Sequence, residues 1–221
     1  MNLDFTGYFI TPVYSTVISE WVKPLIKATD PFIKKAKNNN KINIKDRNKN
    51  LKKNIGDFAM SHHSESLINI FEFKDLQDFV GKSSLKILNH MGYDLNNYEI
   101  CWTELWVQEF AKNGGGHHEG HIHYDNHISG FYFLKCSDKT SYPIFHDPRL
   151  AKSITQLPLK NELDVTFGTQ YINYKPQPGT LILFPSFLEH QFTVDLGVEP
   201  FRFIHFNLQA VRKMIVDSIK K

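Results

Sequence analysis

The stretch YEICWTELWVQEF, residues 98–110, is where the grammar of the chain changes. Ile100, Trp102, Trp106 and Phe110 alternate with Cys101, Thr103, Leu105 and Val107, a period of two that predicts a strand. Apolar side chains on both faces predict a central strand. Further candidates follow at short intervals: GHIHY (120–124), ISGFYFLK (128–135), YPIFH (142–146), LDVTF (163–167), QYINY (170–174), TLILF (180–184), HQFTV (190–194) and FRFIHFNLQ (201–209). Turn signals such as DPR, PQPG and DLG separate them. This rhythm predicts a mainly β fold, a sandwich or jelly-roll barrel over residues 98–221.

Upstream, residues 1–97 read as a helical and irregular part packed outside that core. Val17, Trp21, Leu25, Ile26 and Ile33 recur at helical spacing, with Pro24 and Pro31 expected to kink or split the helix. A second helix is expected from about Asp75 to His90, with Gly92 just past its end. Between them, residues 34–54 carry nine Lys or Arg against the single Asp46 and read as a solvated loop. No aromatic residue interrupts that loop to stack a base, and the net charge is only +3, so a nucleic-acid partner is not expected.

The chain has 221 residues, 41% of them hydrophobic, enough for one sizeable domain. No apolar run is long enough for a membrane span and no secretory leader is legible, so a soluble, cytoplasmic protein is expected. Cys101 and Cys136 have no CxxC spacing, which argues against a thiolate zinc site or a disulfide framework.

The chemistry gathers in KNGGGHHEGHIHYDNHISGFYFL, residues 112–134. On an extended strand His117, Glu119, His121, His123 and Asp125 share one face, and two imidazoles from one strand can reach one ion. Gly114 to Gly116 supply either a mobile flap or a turn. Downstream, His190 follows the apolar TLILFPSFLEH segment and Arg202 lies on the next strand. A His-x-ligand pair with a distal His is the order of a facial triad, which leaves positions open on Fe(II) for a 2-oxo acid and dioxygen. An Arg beyond it can clamp a distal carboxylate with two parallel bonds.

These residues resemble the 2-oxoglutarate- and Fe(II)-dependent oxygenases, and within them a branch common in marine phages and bacteria. HIHYDNHISGFYFL is similar to that branch's HxHPNSxxSGxYYL, and FHDPR (145–149), FPSFLEH and RFIHFN follow in the same order, so the likeness runs from about Trp106 to Asn207. The same motif is also similar to the aspartyl/asparaginyl β-hydroxylases. The resemblance implies a double-stranded β-helix, and oxidation of a substrate C–H bond coupled to decarboxylation of 2-oxoglutarate to succinate and carbon dioxide. It implies Fe(II) as cofactor, 2-oxoglutarate and O2 as co-substrates, and a small-molecule or peptidyl substrate. A phage-encoded protein acting in its host cell is compatible with it.

Carried over residue by residue, His121 and His190 become metal ligands and Arg202 the anchor for the far carboxylate of 2-oxoglutarate. The third ligand is His123 in the preferred set of three histidines. The alternative is a literal HxD, in which His123 and Asp125 ligate with His190 and His121 moves outward. Ser129, Tyr132 and Gln108 are candidates to hydrogen-bond the co-substrate, against the plainer reading of buried strand polars. Ile204 stands where many relatives have a Ser, and His205, opposite Arg202 by strand alternation, reads as structural. Asp147 with Arg149 reads as a turn or salt bridge, Trp102 and Trp106 as core, and His62 and His63 as surface residues. Specificity is expected in the N-terminal helices and the Pro148 to Asn161 loop. The rivals are a cupin-type three-histidine dioxygenase without a 2-oxo acid, and a non-catalytic metal-binding or structural jelly roll.

Overall fold

The structure, a computed structural model, describes residues 4, 6–154 and 157–219. Its strands are β1 (Tyr14–Val17), β2 (Ser61–His63), β3 (Tyr98–Phe110), β4 (His118–His121), β5 (Ile128–Lys135), β6 (Pro143–His146), β7 (Tyr171–Asn173), β8 (Thr180–Pro185), β9 (His190–Phe192) and β10 (Arg202–Arg212). The helices are α1 (Val22–Asn39), α2 (Lys41–Leu51), α3 (Lys74–His90) and α4 (Lys213–Ile219). A six-stranded sheet runs β1-β8-β5-β10-β3-β2 and a four-stranded one β4-β9-β6-β7. All pairings are antiparallel, the jelly-roll arrangement expected from the strand rhythm.

Period-two alternation sorts the large sheet's side chains into two cores. Leu105, Val107, Tyr132, Leu134, Leu181, Leu183, Ile204 and Phe206 face outward and pack against Leu25 and Ile33 of α1 and Leu76, Val80, Ile87 and Leu88 of α3. Phe110, Phe131, Phe133, Ile182, Phe184 and Phe203 face inward, where Phe145, Leu188, Phe192 and Phe201 meet them. The inner core is therefore largely phenylalanine, with Phe192 and Phe203 stacked at 4.7 Å.

Gly130 shows why the SG pair of ISGFYFL matters. A Cβ there would lie 2.2 Å from the Ile182 carbonyl oxygen and 2.5 Å from the Phe206 ring, so only glycine lets that ring lie flat on β5. The triple glycine before β4 is a pinned turn. Gly114 and Gly115 take φ of +78° and +81°, and backbone bonds tie them to Ala59 and Asp195.

Several expectations are corrected. Residues 34–54 are mostly helical, forming the end of α1 and all of α2. No Pro or Gly interrupts residues 41–51, Lys and Arg are good helix formers, and Arg47 fastens the helix by donating to the carbonyls of Phe58 and Gly56. Pro24 sits in the first turn of α1, where its missing N–H costs nothing, and the helix runs on through Pro31. LDVTF is no strand, because side chain–backbone bonds from Asn161, Thr166 and Thr169 hold it in turns. His62 is buried and bonded to Asp57 and Asn40. Of the Pro148–Asn161 loop, residues 155 and 156 lie outside the described residues.

Arg202 departs furthest from expectation. It opens β10 on the outward face, where its Nε donates to Glu109 Oε2 at 2.6 Å and its Nη1 to Asp30 Oδ1 at 2.6 Å and Thr29 Oγ1 at 3.1 Å. Lys37 bonds the other Glu109 oxygen. Burial pushes the Glu109 carboxyl up, and the Lys37 and Arg202 cations more than offset it, leaving it below the ordinary carboxylate value. The guanidinium thus fastens α1 to the sheet.

Replacing Glu109 with Gln leaves the Arg202 charge without its buried partner, a change expected to cost about 3 kcal/mol. Urea unfolding should show the loss, and a change under 1 kcal/mol would refute the role. Gly130→Ala is expected to cost about 3 kcal/mol through overpacking. That corresponds to a Tm lower by roughly 6–12 °C for a chain of this size.

Candidate metal centre

The site lies where the rim of the small sheet meets β10. His121 ends β4 and stands directly across from His190, the first residue of β9. Two residues on, the His123 backbone N–H donates to the Ser186 carbonyl at 3.0 Å, which turns its ring back toward the other two. Ring centroids of His121 and His190 are 4.5 Å apart, those of His121 and His123 5.0 Å, and those of His123 and His190 5.2 Å. One nitrogen from each falls within 4.8 Å of the others, as three ligands of one ion require.

Their hydrogen bonds fix which nitrogen is free. His121 Nδ1 is 2.7 Å from the Glu119 carbonyl and His190 Nδ1 2.9 Å from the Leu188 carbonyl, so each Nδ1 carries the proton and each Nε2 presents a lone pair. His190 is fully buried and its Nε2 has no partner in the structure, an orphan that an ion would satisfy. The phenylalanine rings of Phe184 (4.9 Å) and Phe131 (5.5 Å) wall it in. Burial first, then the neighbouring imidazoles, depress these groups: His190 to about 3 and His123 to about 4. At neutral pH they are uncharged and ready to ligate. These residues fit a divalent first-row ion, held by three neutral nitrogen donors.

Around this set the structure sorts the remaining candidates. Asp125 lies in the turn after His123 with φ of +60°, exposed and in none of the possible ligand groups among the described residues. Gln108 faces inward and its Oε1 is 2.9 Å from His118 Nε2. Ser129 also faces inward, bonding Ser186 and donating to Asn207 Oδ1 at 2.6 Å. Tyr132 is turned the other way, its hydroxyl donating to the Ile18 carbonyl at 2.6 Å beneath the helices. Arg202, held by Glu109 and Asp30, does not reach the histidines. Asp147 is an ion-pair partner of Arg149 at 2.7 Å and Lys152 at 2.9 Å.

His205, which the sequence analysis read as structural, and Asn207, which it passed over, stand beside the histidines. His205 Nε2 is 3.2 Å from His123 Nε2, and Asn207 Nδ2 is 3.0 Å from His123 Nδ1. The usable signal was parity: if Arg202 and Ile204 face one way, Phe203, His205 and Asn207 face the other. Trp106 stacks on His205 at 4.3 Å, with His63 3.8 Å from the same indole.

Comparison with known proteins bears on the family and the fold. Residues 104–207 match the family described as "Putative 2OG-Fe(II) oxygenase". No curated protein matches the chain. Among solved structures, a Pseudomonas putida prolyl-4-hydroxylase shares the fold at a TM-score of 0.52, with 10% identity over 90% of this chain and 93% of that one. A viral collagen prolyl hydroxylase from Paramecium Bursaria Chlorella virus-1 gives a TM-score of 0.49, with 14% identity over 89% and 96% of the two chains. A 2OG-Fe(II) oxygenase family oxidoreductase from Burkholderia pseudomallei gives 0.44, with 11% identity over 65% of this chain. The match spans 61% of that protein's length. Residues 104–207, a little under half of the chain, are thus similar to the 2OG-Fe(II) oxygenases, oxidoreductases whose cofactor is Fe(II) and whose co-substrates are 2-oxoglutarate and dioxygen.

Proposed function

We propose that His121, His123 and His190 hold iron and that the chain hydroxylates a peptidyl or small-molecule substrate. The observation that carries this is the convergence of three imidazoles, two with Nδ1–H committed to backbone carbonyls and Nε2 left free. Iron bound there would supply, with 2-oxoglutarate and dioxygen, the oxidation of a substrate C–H bond, with succinate and carbon dioxide as co-products. The chain's own residues bind, orient and shield. His190 anchors the ion from the buried side, Phe131 and Phe184 keep water from that side, and the half-buried His121 and His123 leave the outer side open. A cleft of about 230 Å³ beside His123, lined by Leu88, Met91, Tyr93, Tyr124 and Phe187, supports substrate entry from there.

Arg202 does not fit the role of carboxylate anchor, since its guanidinium is spent on Glu109 and Asp30. The polar groups beside the histidines on the inner face are the neutral Gln108, Ser129 and Asn207, with the carboxylate of Glu104 at the rim and, among the described residues, no Lys or Arg bonded to any of them. This placement favours a second reading, a three-histidine dioxygenase that takes no 2-oxo acid. Among the described residues no helix is long and apolar enough to cross a membrane.

Protein reconstituted with Fe(II) is expected to consume oxygen and, when 2-oxoglutarate is supplied, to form succinate. Oxygen uptake without succinate would move the assignment to the second reading, and the absence of both would end the oxygenase proposal. His190→Ala is expected to lower Fe(II) affinity by at least about 100-fold, more than loss of an outer-shell partner typically does. The depressed imidazoles also fix a pH dependence for the metal-free protein. The unfolded chain binds protons at the ordinary histidine value of 6.5, whereas His190 and His123 resist them down to about 3 and 4. Stability should therefore be full above pH 6.5 and fall progressively as the pH drops toward 4. Denaturant melts showing a flat profile across that window would contradict neutral, buried imidazoles.

A further inference from the structure

We infer that Glu104, His123 and His205 form a second seat for a divalent metal ion, overlapping the first and suited to a harder cation such as Mn(II). The inference rests on the assignment of His123 to the metal centre.

The seat is built by the pairing of β10 with β3. His205 lies across from Trp106 and Asn207 across from Glu104, with Trp106 and His205 stacked on the inner side and Glu104 at its rim. His205 is 2% exposed and its Nδ1 has no hydrogen-bond partner. That nitrogen is 3.8 Å from Glu104 Oε2, too long for a hydrogen bond and suitable for two donors on one ion. The other nitrogen, Nε2, is 3.2 Å from His123 Nε2. An imidazole gives only one nitrogen to an ion, so His205 would ligate through its orphaned Nδ1, on the Glu104 side. Donor atoms of the three residues lie within 4.8 Å of one another.

Hydrogen bonding within the cluster leaves the Nδ1 of His205 unaccounted for. A buried imidazole nitrogen left unmade costs about 1–3 kcal/mol, and Trp106 stacking prevents His205 from swinging away to water. Asn207 donates to Glu104 Oε2 at 2.7 Å while lying 3.0 Å from His123 Nδ1, so one amide orients two of the three donors. Glu104, with its side chain 47% exposed, keeps the seat open to solvent.

The two seats differ in chemistry. Three neutral nitrogens suit Fe(II) and Zn(II) alike, whereas exchanging one imidazole for a carboxylate favours a harder ion such as Mn(II). His123 belongs to both, so the seats are occupied one at a time.

The test is a pair of calorimetric titrations, Zn(II) and Mn(II), on the full chain and on the variants E104Q and H121A. Both positions are at least partly exposed, and a thermal melt in metal-free buffer checks that each variant is folded. E104Q is expected to weaken Mn(II) by about 10-fold or more and leave Zn(II) within about 3-fold, and H121A to do the reverse. H205Q, which keeps a neutral side chain, should repeat the E104Q pattern. Unchanged Mn(II) affinity in E104Q, or an equal loss of both metals, would overturn the second seat. Unchanged Zn(II) affinity in H121A would instead remove the first seat, leaving the E104Q result to stand by itself.

Discussion

β10 is hydrogen-bonded on both sides, to β3 along its length and to β5 along most of it, so its side chains have no freedom to choose a face. That parity decides what the centre contains. Phe203, His205 and Asn207 are delivered inward, while Arg202, Ile204 and Phe206 are delivered to the helices. A shift of one residue would exchange the two sets, putting a guanidinium among the phenylalanines and a histidine under α1. The register irregularity between Arg202 and Phe203 against β5 falls at the point where the strand passes from the Glu109 ion pair to the inner core.

The outward turn of Arg202 changes what the N-terminal helices do. In the sequence they look like an accessory layer, yet Asp30 of α1 pairs with Arg202, Lys37 of α1 joins Arg202 on Glu109, and β1 and β2 pair with β8 and β3 at the two edges of the large sheet. The ion pairs act where burial is deep, since Arg202 is 4% and Glu109 6% exposed, so each charge depends on its partner. The helices and the strand beside the candidate metal centre are therefore one mechanical unit.

Most of the fold was legible because the strands carry period-two patterns bounded by turn residues. β3 and β5 have the limits their sequences predict, 98–110 and 128–135. LDVTF has the same alternation without becoming a strand, because Asn161, Thr166 and Thr169 satisfy the backbone locally. α2 was hidden by its charge: a run of Lys and Asn has no apolar stripe to announce a helix, and its anchor is Arg47 on two carbonyls that only the folded chain brings near. At the site, strand alternation offered His117, Glu119, His121, His123 and Asp125 on one face, and it was the order of the family's motifs that singled out His121, His123 and the distal His190. The roles of Arg202, Tyr132 and His205 could not be read in this way, because each depends on which face of a strand looks inward, and strands apolar on both faces do not say. Motif order located the residues, and parity assigned them.

The same parity governs the electrostatics of the centre. Eight phenylalanine rings form the inner core behind the histidines, and Gln108, Ser129 and Asn207 on the same face are neutral. In such a setting a bare carboxylate loses its hydration and gains no partner, so charge compensation has to come from the ion itself. Three neutral imidazoles leave the full ionic charge of a divalent metal uncancelled, whereas a ligand set containing Glu104 would cancel part of it. The attraction between the centre and an incoming anion is therefore set by which residues hold the metal. It is strongest with His121 and His190 as partners of His123, and weaker when Glu104 and His205 take their place.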